Sequence, residues 1–320
     1  MDGNERDLEA PAPHPQAQSV LDWQRRLGLT PLRNHGVRRL RLLSRVGDWL
    51  GNRNPPAVGS VTDGTVPGPA GGLPVRVYTP DGEGPFPTLA FFHGGAYVIG
   101  GLASHDLLCR HLCRASGCAV VAVDYRLAPE HQFPAAVEDA AAATEWIAAN
   151  TDRLAGDGRL AVVGDSAGGT LAAVTALRAA EQDGPDIDYQ VLIYPGHGIA
   201  EDQDSMQDHG GKVLAREDFE WIRELYYGSA VHERNPYADP SNACDLSGVA
   251  PATVLTAGFD PLRDGGVAYA EKLRDDGVPV THRNYEDMIH GFVSQLDSID
   301  RAREAVDVIA GDLRDAFGLS

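Results

Sequence analysis

The run Gly164-Asp165-Ser166-Ala167-Gly168-Gly169 places a hydroxyl nucleophile between glycines two positions to either side. The apolar stretch Leu160-Ala161-Val162-Val163 precedes it, and a segment rich in Ala and Leu with helical character follows. A serine at such a strand-to-helix turn is held in a sharp bend with Oγ exposed, and the glycines leave space for crowded backbone. The chemistry open to it is acyl transfer, if a base takes its proton and a third group orients the base. The spacing alone is weak; the strand before it and the helix after it give it weight.

In chain order the acid and then the histidine should follow the serine, each just past a strand end. Of eleven histidines, His197, His209 and His232 follow Ser166 but fall in an irregular stretch, and His282 lies inside a strand-like run. His290 comes shortly after the run Val280–Tyr285, in a loop, and is the expected base. Asp260 stands directly after Thr253–Ala257 and is the expected acid, although an Asp there also suits a helix N-cap; Asp264 is the alternative. Acyl transfer further requires amide donors for the developing oxyanion. Phe91-Phe92-His93-Gly94-Gly95-Ala96-Tyr97 ends another strand-like run, so Gly94 and Gly95, with Ala167 beside the nucleophile, are the expected donors. His93 reads as a structural hydrogen-bonding residue of that loop.

These residues need a frame. Leu73–Tyr78, Thr88–Phe92, Ala119–Asp124, Leu160–Val163, Gln190–Tyr194, Thr253–Ala257 and Val280–Tyr285 read as short strands, several apolar throughout, as in strands buried on both faces. Helical patterns at Asp106–Ser116, Ala135–Asn150, Ala167–Gln182, Pro261–Asp276 and Ser298–Phe317 alternate with them. The alternation predicts an α/β fold with a mainly parallel sheet. Residues 196–235 interrupt the rhythm, include a helical pattern at Glu217–Tyr227, and read as an inserted cap. Residues 1–18 read as a disordered tail and 19–55 as two N-terminal cap helices broken near Pro31. Asn52–Gly72 reads as a linker, and 56–320 is the catalytic domain.

Composition excludes other classes. With 43% hydrophobic and 23% charged residues the chain is neither disordered nor fibrous. No apolar run approaches the ~18 residues of a membrane span, and no signal-like segment opens the chain, so a cytoplasmic protein without stable membrane insertion is expected. A net charge of −19 argues against nucleic acid. The local exception is Arg38, Arg39, Arg41 and Arg45, interleaved with Val37, Leu40, Leu43, Val46 and Leu50 at helical spacing. An amphipathic helix packed on the main domain with a solvated basic face is the expected reading, a membrane-surface or partner helix the alternative. His105, Cys109 and Cys113 also share a helix face. Their outer members would stand about 12 Å apart at 1.5 Å rise per residue, too far for one metal ion.

Five motifs in order carry a family resemblance: His93-Gly94-Gly95-Ala96, Tyr125-Arg126-Leu127-Ala128-Pro129-Glu130, Gly164-Asp165-Ser166-Ala167-Gly168-Gly169, Asp260-Pro261-Leu262-Arg263-Asp264 and His290-Gly291-Phe292. Together they resemble the hormone-sensitive-lipase-like family of microbial carboxylesterases, from about Val20 to the C-terminal helix. The resemblance implies an α/β-hydrolase fold with a helical cap, a Ser166–Asp260–His290 triad, and an oxyanion hole of Gly94, Gly95 and Ala167. It implies a small-molecule ester as substrate, no metal or organic cofactor, and a homodimer as one assembly open to the chain. Ala96 departs from the commoner third glycine, and Asp287 stands where the family often has Gly. Short- to medium-chain esters are expected, because Glu201, Asp202, Asp204, Asp208 and Lys212 make the cap polar. An amide hydrolase of the arylformamidase type, or a silent small-molecule receptor on the same fold, are the rival readings.

Overall fold

The computed structural model describes residues 8–51, 55–198 and 203–319. Eight strands form one sheet: β1 Ser60–Gly68, β2 Gly71–Thr79, β3 Phe86–Phe92, β4 Ala119–Val123, β5 Gly156–Asp165, β6 Tyr189–Ile193, β7 Ala252–Phe259 and β8 Val280–Ile289. Their spatial order is β1-β2-β4-β3-β5-β6-β7-β8, and only β2 runs antiparallel to its neighbours. Every residue of β4 and of β7 is buried, which explains why these runs read as unbroken apolar stretches.

Nine helices accompany the sheet among the described residues: α1 Pro15–Arg26, α2 Val37–Gly51, α3 Asp106–Ser116, α4 Ala135–Ala149, α5 Ala167–Glu181, α6 Asp204–His209, α7 Arg216–Tyr226, α8 Arg263–Asp275 and α9 Asp300–Phe317. The core divides between the two sheet faces. One layer joins Phe92, Val121 and Val162 to Ala140 of α4, Leu171 of α5 and Leu273 of α8. The other joins Leu89, Val163 and Leu255 to Leu112 of α3 and Ile309 and Leu313 of α9. Burying apolar surface at ~25 cal/mol per Å² on both faces fixes the parallel strands in register, and so fixes where their carboxyl ends fall.

Three expectations need correction. The supposed linker contains β1, which pairs with β2 along its whole length. β1 buries only Val66, so it carries no apolar alternation to read. The supposed tail is helical from Pro15, and the segment before it is tied down by Ala10 N–H to Glu286 O (3.0 Å), His14 N–H to Asp287 O (2.8 Å) and Glu9 to His209 (2.8 Å). The basic helix does not bury its whole apolar side: Leu40 is buried, but Leu42, Leu43 and Val46 are exposed. The cap insertion holds α6 and α7, while Glu201 and Asp202 lie outside the described residues.

Candidate active site

The turn between β5 and α5 holds Ser166 at φ 54°, ψ −120°, a conformation that costs an L-residue about 1–3 kcal/mol and persists only where the surroundings enforce it. They do so through glycine. A Cβ on Gly168 would fall 1.9 Å from Phe92 O, and one on Gly164 would fall 2.1 Å from Gly168 O. Strand β3, strand β5 and helix α5 therefore meet at a distance only glycine permits. The bend is pinned further by Ser166 N–H to Ile193 O at 2.9 Å.

His290 and Asp260 arrive from the adjoining strands. Asp260 follows β7, is fully buried, and accepts the Leu262 amide on Oδ1 at 2.8 Å. His290 follows β8, which runs on to Ile289, four residues beyond the expected end. It gets there through a bulge at Gly258, where a Cβ would strike Glu286 O at 2.0 Å. Asp260 Oδ2 lies 2.7 Å from His290 Nδ1, and His290 Nε2 lies 3.0 Å from Ser166 Oγ. A carboxylate only accepts, so Nδ1 carries the proton; in the neutral imidazole Nε2 then accepts from the serine hydroxyl. Burial pushes the His290 pKa down, but the Asp260 carboxylate, helped by Asp165, outweighs it and holds the group above the ordinary histidine range. The alternative acid, Asp264, has other work: its carboxylate takes the Ser205 amide and Arg263 Nε, both at 2.8 Å, and so ties α6 to α8.

The oxyanion expectation changes at one residue. Gly94 N–H is already given to Asp165 Oδ1 at 2.9 Å, and a Cβ at 94 would sit 2.5 Å from Asp165 Oδ2. Gly94 is a glycine for close approach to Asp165 and has no open amide to offer. Among the described residues the amides of Gly95, Ala96 and Ala167 have no protein acceptor, and Ala96 and Ala167 line the same cavity as Ser166. Ala96 (φ 55°) and Tyr97 (φ 61°) both hold left-handed backbone to make this turn.

Asp165 is the functional neighbour that spacing did not reveal. Its carboxylate joins the oxyanion loop to His105 (Nε2 to Oδ1, 3.0 Å), and His105 Nδ1 lies 2.8 Å from Ser104 Oγ. His105 and Gly94 together hold this buried carboxyl below the usual range, against the upward push of burial. The only signal in the sequence was the identity of the second residue of the nucleophile motif. His105 is thus engaged away from Cys109 and Cys113, both fully buried, whose thiols burial pushes up, Cys113 to about 12. His93 is structural as expected: it stacks on Tyr125 (4.3 Å between centroids), and burial with the nearby His105 pushes it down to about 4. Asp287 turns its carboxylate to Arg301 at 3.4 Å.

Ser166 opens into a cavity of about 260 Å³ roofed by the cap residues Leu214, Phe219, Ile222, Tyr226 and Tyr227. Tyr226 stacks flat on Tyr97, 3.8 Å between centroids, and locks cap to loop. The lining is mixed: Leu214, Phe219 and Ile222 give it apolar surface, and Arg223, Glu233, Arg234 and Asp239 add charge. An activated serine beside open amides and a capped chamber is equipped for nucleophilic acyl transfer.

Comparison with known proteins shows what the chain is similar to. A family model described as alpha/beta hydrolase fold matches residues 89–294. The chain is 44% identical over 242 residues to the carboxylic ester hydrolase LipN of Mycobacterium tuberculosis, a match covering 73% of this chain and 64% of LipN. It is 40% identical over 251 residues to the esterase LipI of the same organism, covering 77% of this chain and 78% of LipI. An alpha/beta hydrolase enzyme from the metagenome of Lake Arreo, Spain, superposes with a TM-score of 0.91 at 35% identity, over 97% of this chain and all of that one.

Proposed function

This chain belongs to the hormone-sensitive-lipase-like carboxylesterases of the α/β-hydrolase family, and from that premise we propose that Ser166, His290 and Asp260 hydrolyse short- to medium-chain carboxylic esters through an acyl-enzyme. The observation that carries the reading is the continuous line Ser166–His290–Asp260, at 3.0 and 2.7 Å, opening into the capped cavity. Ser166 Oγ attacks the ester carbonyl as His290 Nε2 takes its proton, and Asp260 holds the imidazolium that forms. Charge moves to the carbonyl oxygen, where the amides of Gly95, Ala96 and Ala167 receive it; Ala96 takes the place first expected of Gly94. His290 returns the proton to the leaving alcohol, and water then releases the acid by the same steps. Homodimerisation belongs to the same proposal: β8 is an edge strand, and the part of its outer edge before Glu286, where the segment around Ala10 and His14 takes over, supports pairing of two copies.

The test is hydrolysis of p-nitrophenyl esters of rising acyl length by the wild type and by Ser166→Ala. Activity should peak between roughly C2 and C8, as the small chamber favours. The variant should lose on the order of 10⁶ in kcat while keeping its fold. Retention of more than a few percent of activity, with contamination excluded, would remove Ser166 from the mechanism; a peak at C16 would remove the chain-length reading.

A further inference from the structure

Helix α2 presents a surface that neither the sheet nor the cap uses. One side is anchored: Leu40 is buried and Val37 packs on the core. Arg41 gives Nε to Val98 O (2.9 Å), Nη2 to Ala128 O (2.8 Å), and both of its terminal nitrogens to Glu130. At 100° per residue the opposite arc carries Arg45, Arg38, Leu42, Val46, Arg39 and Leu43 in angular order. Leu42 is 61% exposed, Val46 48% and Leu43 38%. The side chains of Arg38, Arg39 and Arg45 form no ion pair or hydrogen bond among the described residues.

The charge is just as uneven. Pro15–Gly51 holds seven arginines and two aspartates, +5 in a chain of −19, which leaves −24 for the rest. At physiological salt the Debye length is about 8 Å, so a surface touching α2 meets the arginines and is shielded from most of the acidic body.

We propose that the exposed arc of α2 is a docking surface for an anionic lipid bilayer. A bilayer supplies both things the arc lacks, anionic headgroups for the arginines and an acyl boundary for the leucines and valine. A nucleic acid would satisfy the arginines and leave Leu42, Leu43 and Val46 against phosphate. A second copy in a two-fold arrangement would set the arginines of one α2 against those of the other. Docking needs no insertion, in keeping with the absence, among the described residues, of a helix long and apolar enough to cross a membrane. It would also be rigidly coupled to the site, because Arg41 holds Val98, two residues past Ala96. The enzyme would thereby sit where medium-chain esters partition. The surface itself rests on α2 and not on the ester hydrolase reading.

The test is co-sedimentation of the full-length protein with vesicles of phosphatidylglycerol and phosphatidylcholine, or of phosphatidylcholine alone, at 0.15 M and 1 M NaCl. Binding should appear on the anionic vesicles at 0.15 M and fall at 1 M. The triple variant Arg38→Gln/Arg39→Gln/Arg45→Gln should lower the partition coefficient about a hundredfold, taking each arginine near the surface as worth about fivefold. Leu42→Ser/Val46→Ser should weaken binding without altering its salt dependence. Both variants should hydrolyse soluble p-nitrophenyl acetate at the wild-type rate, which shows that they are folded and separates this surface from the active site. Absence of binding to anionic vesicles, or equal binding by wild type and triple variant, would overturn the proposal. So would light scattering showing a dimer that Leu42→Ser/Val46→Ser dissolves, or tighter binding to DNA than to vesicles.

Discussion

At His290 two opposing forces act on one proton. Burial favours the neutral ring, Asp260 favours the imidazolium, and the carboxylate prevails. Only the neutral ring can accept the Ser166 proton, so kcat/KM should rise with pH as the free enzyme loses that proton. Because the pKa is raised, the acidic limb should have its midpoint above the ~6.5 of an unperturbed histidine. A pH–rate profile on p-nitrophenyl butyrate measures it, and a flat line from pH 5 to 9 would argue against a histidine base. The two aspartates after β7 separate equally sharply. Asp260→Asn should cost about 10⁴ in kcat by favouring the wrong imidazole tautomer, while Asp264→Asn should leave kcat within a few-fold and instead loosen the contact between Ser205 and α8. A reversal of that order in steady-state kinetics would exchange their roles. That Ser166, Asp260 and His290 would meet was legible because each follows an apolar run closely and in the right order. Gly94 was misread because its amide is claimed by Asp165, 71 positions away, and no local pattern reports such a partner.

Among the elements, the junction of β3, β5 and α5 tolerates the least. Gly168→Ala drives a methyl to within 1.9 Å of a backbone carbonyl that has no freedom to retreat, so a loss of about 3 kcal/mol is expected. Gly311, inside α9, is the counterpart: nothing lies within 4 Å of a Cβ there, and its φ is not in the left-handed region. Gly311→Ala should therefore stabilise by about 0.5–1 kcal/mol through helix propensity and a less entropic unfolded chain. Urea midpoints for the two variants test both signs. The elements found from sequence were those with a buried face, because burial imposes the pattern being read. β1 escaped for want of one, and residues 8–14 escaped because their partners, among them His209, Arg263 and Glu286, are two hundred or more positions away.

The molecule as a whole carries thirty-one Asp and fifteen Glu against two Lys. Many of its arginines are paired, as in Arg76 with Asp63 and Asp106, and Arg126 with Asp139, so the excess carboxylates repel one another. Raising salt from 0.1 to 1 M shortens the Debye length from ~10 to ~3 Å, and the compact state benefits more than the expanded chain. The melting temperature should rise between 0.05 and ~2 M NaCl, followed by calorimetry. Chloride is the fair series, since sulfate stabilises proteins generally by surface exclusion. A flat or falling series would show that the acidity is not a stability burden. This charge and the cluster Arg38, Arg39, Arg41 and Arg45 were legible in the sequence; that α2 leaves Leu42, Leu43 and Val46 exposed beside those arginines needed the structure.

The order in which the three reacting groups enter the sheet also bears on time. Ser166 ends a central strand, Asp260 the next but one, and His290 the edge strand, which is the last to be synthesised. A half-folded chain with β3, β4 and β5 in place would present a strained serine with no base. Contacts closed across more than a hundred residues form late and slowly. A nascent or refolding molecule is therefore chemically quiet until its final strand has docked, and during refolding from urea esterase activity should return after the far-ultraviolet signal of the central strands.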